Sequence, residues 1–242
     1  MIPKVIHYCW FGRNEMPEEI KKFTDNIKKL TEHGYKVIEW NEDNYIPTDT
    51  EFYNDAILKK KWAHVSDYAR LDILYQHGGI YLDTDIEIVR NFDELLRYNF
   101  FLGYMWDCNL GTAVIGSEKG NKIIYDIRAL YVVGKINLNS PNNDLVTKYF
   151  INEVADFKLN GRHSILSGGV CVMDKYSFEH PSFNKRKNYT IHHFSQTWKE
   201  NSGVRRKLKE VVIKIMGLYL YRKYLCVKSF NISPFKSMFT KD

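Results

Sequence analysis

The sequence predicts an α/β fold in which helices cover both faces of a mainly parallel β-sheet. Short apolar segments that predict strands alternate with amphipathic helical segments through the first half of the chain, and this alternation builds parallel sheets. The 242 residues suffice for one large domain of this class or two small ones. Of these residues 44% are hydrophobic, which is typical of a globular protein. No internal repeat or low-complexity segment is present.

The individual elements follow from periodicity and from their end signals. Strands are predicted at 5–8, 35–40, 80–82 and 86–89, and helices at 17–30, 51–60 and 62–77. Pro17 and the two acids after it suit a helix N-terminus, and the Gly78-Gly79 pair suits a helix C-cap. In the second half, strands are predicted at 100–105, 112–116, 165–173 and 189–194, and helices at 119–133 and 143–156.

Charge is distributed unevenly along the chain. The formal net charge is +6, yet residues 199–242 contain 11 Lys and Arg against 3 Asp and Glu, whereas residues 1–198 contain 24 against 26. A nearly neutral body with a basic tail argues against nucleic-acid binding and for a local contact with something anionic.

The four cysteines are scattered without a CxxC spacing, so we expect buried, reduced thiols and neither a disulfide framework nor a zinc site. The sequence has no apolar run of about 18 residues and no signal-peptide pattern at its N-terminus. We therefore expect a cytoplasmic protein.

The strongest chemical signal is Asp83-Thr84-Asp85, which directly follows the apolar strand at 80–82. Ligands of open α/β folds bind at the carboxyl ends of the parallel strands. In extended backbone, side chains at i and i+2 point the same way, so Asp83 and Asp85 can converge on one hard cation. Such a cation can bridge the phosphates of a nucleotide diphosphate.

The preceding helix carries Asp67 and Arg70, which are three residues apart and therefore share a face. Because the helix runs to the Gly-Gly turn and the strand returns beside it, we expect both side chains near Asp83 and Asp85. A carboxylate suits ribose hydroxyls, and a guanidinium suits a phosphate or sugar oxygens.

These residues resemble a known family. Residues 62–89, with the runs Ser66-Asp67-Tyr68-Ala69-Arg70-Leu71-Asp72 and Gly78-Gly79-Ile80-Tyr81-Leu82-Asp83-Thr84-Asp85, are similar to the DXD-containing sugar transferases. That family includes capsular polysaccharide enzymes, fungal mannosyltransferases and animal α-1,4-galactosyltransferases, and more distantly the glucosyltransferase domains of clostridial toxins. Residues 2–12 and 192–198 also match, so the resemblance covers roughly residues 1–200.

The resemblance implies a GT-A fold, that is, a Rossmann-like nucleotide-sugar-binding domain, over residues 1–200. It also implies a retaining reaction, a Mn²⁺ or Mg²⁺ ion and a nucleotide-sugar donor. The resemblance also implies a role for each site residue. Trp10 would stack on the base, Tyr81 would line the nucleotide pocket, and Asp67 would contact the ribose or the sugar. Arg70 would contact the sugar or a phosphate, Asp83 would contact the ribose and support the metal, and Asp85 would ligate the metal directly.

The C-terminal motif is expected to complete the site. His193 is the candidate third metal ligand, with His192 and Ser195 as alternatives, and Trp198 could donate its N–H to the leaving phosphate. Two further segments, 109–116 and 141–144, are candidates for the donor-sugar wall and the acceptor side; ordinary loop and strand is an equally good interpretation.

The expected reaction transfers a hexose, with galactose favoured, from a UDP-sugar to a glycan or polyprenyl-linked acceptor in bacterial capsular or surface polysaccharide synthesis. The alternatives are a GDP-mannose-dependent mannosyltransferase, a metal-dependent phosphatase or nucleotidase, and a non-catalytic glycan-binding protein. The phosphatase motif takes Thr or Val two residues after the second Asp, where this chain has Glu87.

Residues 201–242 are predicted to form a basic amphipathic helical tail. Val204, Leu208, Val211 and Ile215 begin one apolar stripe, with basic residues around it. Such a helix favours peripheral contact with an anionic membrane at the inner face of the plasma membrane. The alternative is a terminal helix that packs on the catalytic body.

Overall fold

The computed structural model describes residues 1–48, 50–134, 136, 138–139, 141–195 and 211–241. Trp198 and residues 204–210 of the predicted tail lie outside the described residues. The strands are β1 Val5–Cys9, β2 Lys36–Trp40, β3 Gly79–Leu82, β4 Ile86–Ile88, β5 Phe100–Trp106, β6 Asn109–Ser117, β7 Ser164–Leu166, β8 Val170–Met173 and β9 Thr190–His192. The helices with both ends among the described residues are α1 Glu18–Lys28, α2 Glu51–Leu58, α3 Trp62–His77, α4 Lys122–Val132, α5 Asn142–Glu153, α6 Lys175–Phe178 and α7 Leu218–Ile232. Residues 211–216 are helical as well.

Seven of these strands form the central sheet, in the order β2-β1-β3-β6-β5-β8-β7. Strands β1, β2 and β3 are parallel to one another, β5 is parallel to β8, and β6 runs antiparallel between β3 and β5. Five of the seven strands therefore share one direction, with β6 and β7 reversed. The predicted α/β class with a mainly parallel sheet is confirmed.

The side-chain alternation along β3 determines which face of the sheet carries the candidate site. Ile80 and Leu82 pack in a cluster with Ile6 and Tyr8, whereas Tyr81 packs in the cluster that contains Tyr68 and other buried residues of α3. Because successive strand residues face opposite sides, the side chain of the residue after Leu82 continues on the α3 side. The strand thus directs Asp83 toward α3.

The prediction of a single strand at 165–173 is wrong. The segment forms two short antiparallel strands, β7 and β8, separated by Gly168 and Gly169. Both glycines adopt positive φ angles, 73° and 71°, which a residue with a Cβ rarely tolerates, and they reverse the chain. Helix α6 was not predicted, because four residues are too few for a periodic signal.

Helix α3, which carries Asp67 and Arg70, is anchored to α4 by a buried ion pair. The Nε of Arg128 on α4 lies 2.7 Å from the Oδ1 of Asp72, and the hydroxyl of Tyr45 donates to the other oxygen of that carboxylate at 2.9 Å. The buried charge of Asp72 is therefore compensated on both oxygens, as burial of a carboxylate requires. These contacts fix the position of α3 relative to α4 and to the loop that contains Tyr45.

Helix α7 lies within the predicted tail and packs on the body through one face. Arg222 and Cys226, one turn apart, are buried, whereas Leu220, Tyr224 and Val227 are exposed. The inner face of α7 thus packs on the body, as the alternative interpretation of the tail expects. Its outer face is apolar and exposed. Among the described residues, no helix is long and apolar enough to cross a bilayer.

Candidate active site

Asp83 and Asp85 lie in the turn between β3 and β4, at the carboxyl edge of the parallel strands. The backbone N–H of Asp83 still belongs to the sheet, since it donates to the carbonyl of Ala113 on β6 at 2.8 Å. The chain then turns into β4, which leaves the central sheet and pairs with β9. The two carboxylates are thus held between two separately anchored strands.

The pairing of β4 with β9 brings the C-terminal motif to Asp85. Ile86 pairs with His192 in antiparallel register, and the N–H of His193 donates to the backbone carbonyl of Asp85 at 3.1 Å. Further along, the N–H of Ser195 donates to the Oδ2 of Asp85 at 2.7 Å. Residues far apart in sequence therefore meet around one carboxylate.

The candidate metal site consists of Asp83, Asp85 and His192, which each offer one ligand atom, all within 4.8 Å of one another. The Nε2 of His192 lies 3.2 Å from the Oδ1 of Asp85. The hydroxyl oxygen of Ser195 is buried and has no hydrogen-bond partner among the described residues. Two carboxylates, an imidazole and an unsatisfied hydroxyl fit a divalent cation.

His193 does not join this cluster. Its Nε2 lies 2.7 Å from Glu87, and its ring packs against Phe23 with 4.5 Å between the ring centroids. Neighbouring residues of an extended strand point to opposite sides, so only one of the two histidines can face Asp85. The structure thus places His192, the alternative that the sequence left open, beside Asp83 and Asp85, and it places His193 away from them.

Glu179 orients His192 from behind. One of its carboxylate oxygens lies 2.6 Å from the Nδ1 of His192, and its side chain is only 2% exposed. Space for this carboxylate comes from Gly111, where a Cβ would lie 2.5 Å from Glu179 Oε1. A carboxylate on one ring nitrogen directs the other nitrogen toward a metal, which is the usual arrangement of metal-binding histidines.

The electrostatics of this pair are strongly coupled. Burial lowers the pKa of His192, but the carboxylates of Asp85 and Glu179 outweigh it and raise that pKa to about 10. Burial likewise opposes ionisation of Asp85, yet the charge of His192 and the N–H of Ser195 hold the pKa of Asp85 well below its usual range. In the metal-free protein His192 therefore carries a proton in the place where a cation would bind.

Arg70 organises the second half of the site. Its Nη2 lies 2.9 Å from an oxygen of Asp67 and 3.3 Å from an oxygen of Asp83, and its Nη1 donates to the carbonyl of Thr112 at 2.8 Å. The guanidinium lies over the ring of Tyr81, whose hydroxyl donates to Asp83 at 3.0 Å. Arg70 is 4% exposed and Tyr81 is 1% exposed, so both side chains contact the carboxylates from the protein interior.

A polar wall continues from Asp67 along α5 and β6. The side-chain amide of Asn142 donates to Asp67 and to the hydroxyl of Thr112, at 3.1 Å in both cases. The amide of Asn109 donates to Asp144 at 2.8 Å. The segments 109–116 and 141–144, singled out in the sequence, thus meet beside Asp67.

Of the two predicted tryptophans, Trp10 and Trp198, the first is not part of these hydrogen-bonded groups among the described residues. Trp10 follows β1 at the same carboxyl edge, where its N–H donates to the carbonyl of Trp40 and its indole N–H to the carbonyl of Asn14. It is half-buried. Trp198 lies outside the described residues, so its proposed contact with a leaving phosphate stays a prediction.

Comparison with known proteins identifies the chain. Residues 17–102 match the family described as the glycosyltransferase sugar-binding region containing a DXD motif. An uncharacterized glycosyltransferase of Acanthamoeba polyphaga mimivirus is 30% identical over 66% of this chain and 67% of its own length. The chain belongs to the DXD-containing glycosyltransferase family. Its resemblance to that family is confirmed.

Two further similarities are more partial. Inositol phosphoceramide mannosyltransferase 3 of Schizosaccharomyces pombe is 29% identical over 52% of this glycosyltransferase, which spans only 36% of the fungal protein. Among solved structures, the glycosyltransferase PaToxG is similar at 22% identity with a TM-score of 0.47, covering 63% of this chain and 69% of that one.

One residue of the glycosyltransferase site, Glu179, was not predicted from sequence. It lies outside the Asp67–Asp85 block and outside the segments 109–116 and 141–144, whereas Thr112 belongs to the segment 109–116 that the sequence singled out. Glu179 stands between Phe178 and His180, and nothing else in its local sequence distinguishes it from an ordinary polar residue. Its partner becomes visible only once β9 is placed beside α6.

The raised pKa of His192 predicts a pH dependence of stability for the metal-free glycosyltransferase. The folded-state pKa of about 10 exceeds the ordinary value of 6.5, so the folded state binds this proton more tightly than the unfolded state does. The resulting stabilisation is fully present below pH 6.5 and is lost as the pH rises toward about 10. In His192→Gln, which keeps an amide donor for Glu179, this contribution is absent.

Urea unfolding in EDTA at several pH values between 6 and 9 measures this contribution of the His192 proton to stability. The difference in unfolding free energy between the wild type and His192→Gln should shrink steadily with rising pH, since titrating groups away from His192 cancel in the difference. A difference that stays constant over this range would show that His192 is not held as an imidazolium.

Proposed function

We propose that this glycosyltransferase is a retaining, metal-dependent hexosyltransferase that uses a nucleoside-diphosphate sugar. The observation that carries the proposal is the convergence of Asp83, Asp85 and His192 within 4.8 Å beside the Asp67–Arg70 pair. A phosphatase or a glycan-binding module has no need for this combination of a divalent-cation site and an adjacent carboxylate–guanidinium pair. Retention of configuration rests on the family resemblance.

The proposed metal ligands are Asp83, Asp85 and His192, with the hydroxyl of Ser195 as a fourth candidate. Of the two expected ions, the imidazole favours Mn²⁺, because Mg²⁺ strongly prefers oxygen ligands. When bound, such a cation neutralises the charge of the departing nucleoside diphosphate. Glu179 holds His192 in the ring orientation that this ligation needs.

For the donor, Asp67 and Asp83 are proposed to contact ribose and sugar hydroxyls, and Trp10 to stack on the base. Arg70 is fully engaged by Asp67, Asp83 and Thr112. We therefore propose that it acts on the donor by holding both carboxylates in place. The amide of Asn142 and the hydroxyl of Thr112 extend this set of hydrogen-bonding groups toward the donor sugar.

The proposed donor is a UDP-hexose, with galactose favoured, and the proposed acceptor is a hydroxyl of a glycan or polyprenyl-linked sugar in bacterial capsular or surface polysaccharide synthesis. GDP-mannose is the second candidate donor, because the fungal relatives are mannosyltransferases. Their names include inositol phosphoceramide, a lipid, which supports a lipid-linked acceptor here as well. Residues 1–200 are proposed as the catalytic domain.

A peripheral contact with anionic membrane at the inner face of the plasma membrane would bring the enzyme to such an acceptor. Leu220, Tyr224 and Val227 form an exposed stripe on α7, and Lys223 and Lys228 are exposed beside it. Apolar and aromatic side chains flanked by lysines are typical of helices that lie in a lipid interface.

The first prediction from this proposed function tests the metal site. Asp85→Ala should reduce Mn²⁺-dependent sugar transfer by at least about 10²-fold, because a central group that offsets the diphosphate charge is lost. Activity is measured as release of nucleoside diphosphate, with and without acceptor. Asp43→Ala, which removes an exposed surface carboxylate, is the matched control and should keep full activity. Near-normal turnover of a folded Asp85→Ala protein would contradict the assignment.

The second prediction concerns the base. In the presence of Mn²⁺, UDP should raise the melting temperature and GDP should not, because a ligand that binds only the folded state stabilises it by about 2.7 kcal/mol at a hundredfold excess over its Kd. The Trp10→Ala variant should lose this shift. Stabilisation by GDP and not by UDP would instead support the mannosyltransferase alternative.

The third prediction concerns the membrane. Replacement of both Lys223 and Lys228 by Glu should strongly reduce sedimentation with vesicles that contain phosphatidylserine, since each basic residue near an anionic surface contributes about 1 kcal/mol. Lys28→Glu and Lys59→Glu together, on the catalytic body, give the matched control. Point variants are preferable to truncation, because α7 also packs on the body. Equal sedimentation of the two double variants would refute the proposed contact.

A further inference from the structure

Arg222 on α7 contacts the segment that carries the third candidate metal ligand. Its Nη2 donates to the backbone carbonyl of His192 at 2.8 Å. Its guanidinium lies over the ring of Phe194, with 4.1 Å between Cζ and the ring centroid. The side chain thus holds the segment from His192 to Phe194 both by a hydrogen bond and by a cation–π contact.

This segment has an unusual conformation that needs support. Phe194 has a φ of 51°, a left-handed value that is costly for a residue with a bulky side chain. The turn stacks the Phe194 ring on the imidazole of His192, with 3.9 Å between the centroids. The same turn brings the N–H of Ser195 to Asp85. If the turn relaxed, both His192 and Ser195 would leave their positions.

Removal of the Arg222 guanidinium from water costs free energy, which its contacts in the folded protein must offset. The side chain is 4% exposed, its Nε has no hydrogen-bond partner among the described residues, and burial lowers its pKa to about 10. A guanidinium out of water is tolerated when it is paired or hydrogen-bonded. Here it is balanced by the His192 carbonyl, the Phe194 ring and the nearby charge of Glu179.

We propose that Arg222 is a positioning residue that holds the turn from His192 to Ser195 in its metal-binding conformation, which makes helix α7 a structural part of the metal site. The inference rests on the proposed function only in taking Asp83, Asp85 and His192 as metal ligands. It implies that displacement of α7 from the body weakens metal binding, although α7 itself offers no ligand.

The helix provides matched controls. Cys226, one turn after Arg222 on the same buried face, lies with its Sγ 3.9 Å from His180, and among the described residues no hydrogen bond joins it to the turn. Lys223, the neighbour of Arg222, is exposed. Cys226→Ala therefore perturbs the packing of α7 but leaves the contacts of Arg222 with His192 and Phe194. Lys223→Met removes a positive charge from the same helix.

The test is the Mn²⁺ dissociation constant of the full chain, measured from the EPR signal of free Mn²⁺, with thermal melting in parallel. Arg222→Met keeps the aliphatic stem and should weaken Mn²⁺ binding at least about tenfold, as the loss of supporting groups around a metal site does. Cys226→Ala and Lys223→Met should bind Mn²⁺ as the wild type does, even where Cys226→Ala lowers the melting temperature.

A folded Arg222→Met protein with wild-type Mn²⁺ affinity overturns the inference, as does an equal loss of affinity in Cys226→Ala. If Arg222→Met does not fold, Arg222→Lys decides. Because lysine cannot hold the carbonyl and the ring with one planar group, a loss of about threefold is expected, and unchanged affinity overturns the inference. Absence of Mn²⁺ binding in the wild type, or undiminished binding in Asp85→Ala, would instead refute the proposed metal site itself.

Discussion

The site depends above all on the short antiparallel pairing of β4 with β9. Strand β4 follows directly from the two aspartates, and β9 ends in His192, so the register that pairs Ile86 with His192 determines what Asp85 meets. A shift of one residue would turn His192 away and bring His193 inward, because strand side chains alternate. Three residue pairs thus connect the N-terminal and C-terminal parts of the site.

Around this pairing, the site is a set of carboxylates held in place by buried cations. Arg70 neutralises Asp67 and Asp83, and the protonated His192 neutralises Asp85 and Glu179. Without these partners the carboxylates would repel one another. The two cations differ in one respect that matters for function. An arginine keeps its charge, whereas a histidine can release its proton to solvent when a metal ion binds to the same ring nitrogen.

Family membership explains only part of this arrangement. The matched family region ends at residue 102, so it contains Asp67, Arg70, Asp83 and Asp85 but not His192, Glu179 or Arg222. The groups beside Asp67, among them Thr112 and Asn142, also lie beyond it. The candidate site therefore combines residues inside the matched family region with residues that lie beyond it.

The sequence by itself determined the α/β class, the bounds of most strands and helices to within a few residues, and the acidic pair with its Asp67–Arg70 neighbours. All of these are local: periodicity, caps and glycines act over a few residues, and one helix followed by one strand suffices to bring Arg70 to Asp83. Only the tertiary structure decided the reversal of β6, the split of 165–173 into two strands, the placement of His192 instead of His193 beside Asp85, and the contacts that Glu179 and Arg222 make with His192. These features depend on pairings between distant segments, and a local pattern contains no information about which register or which neighbour such a pairing selects.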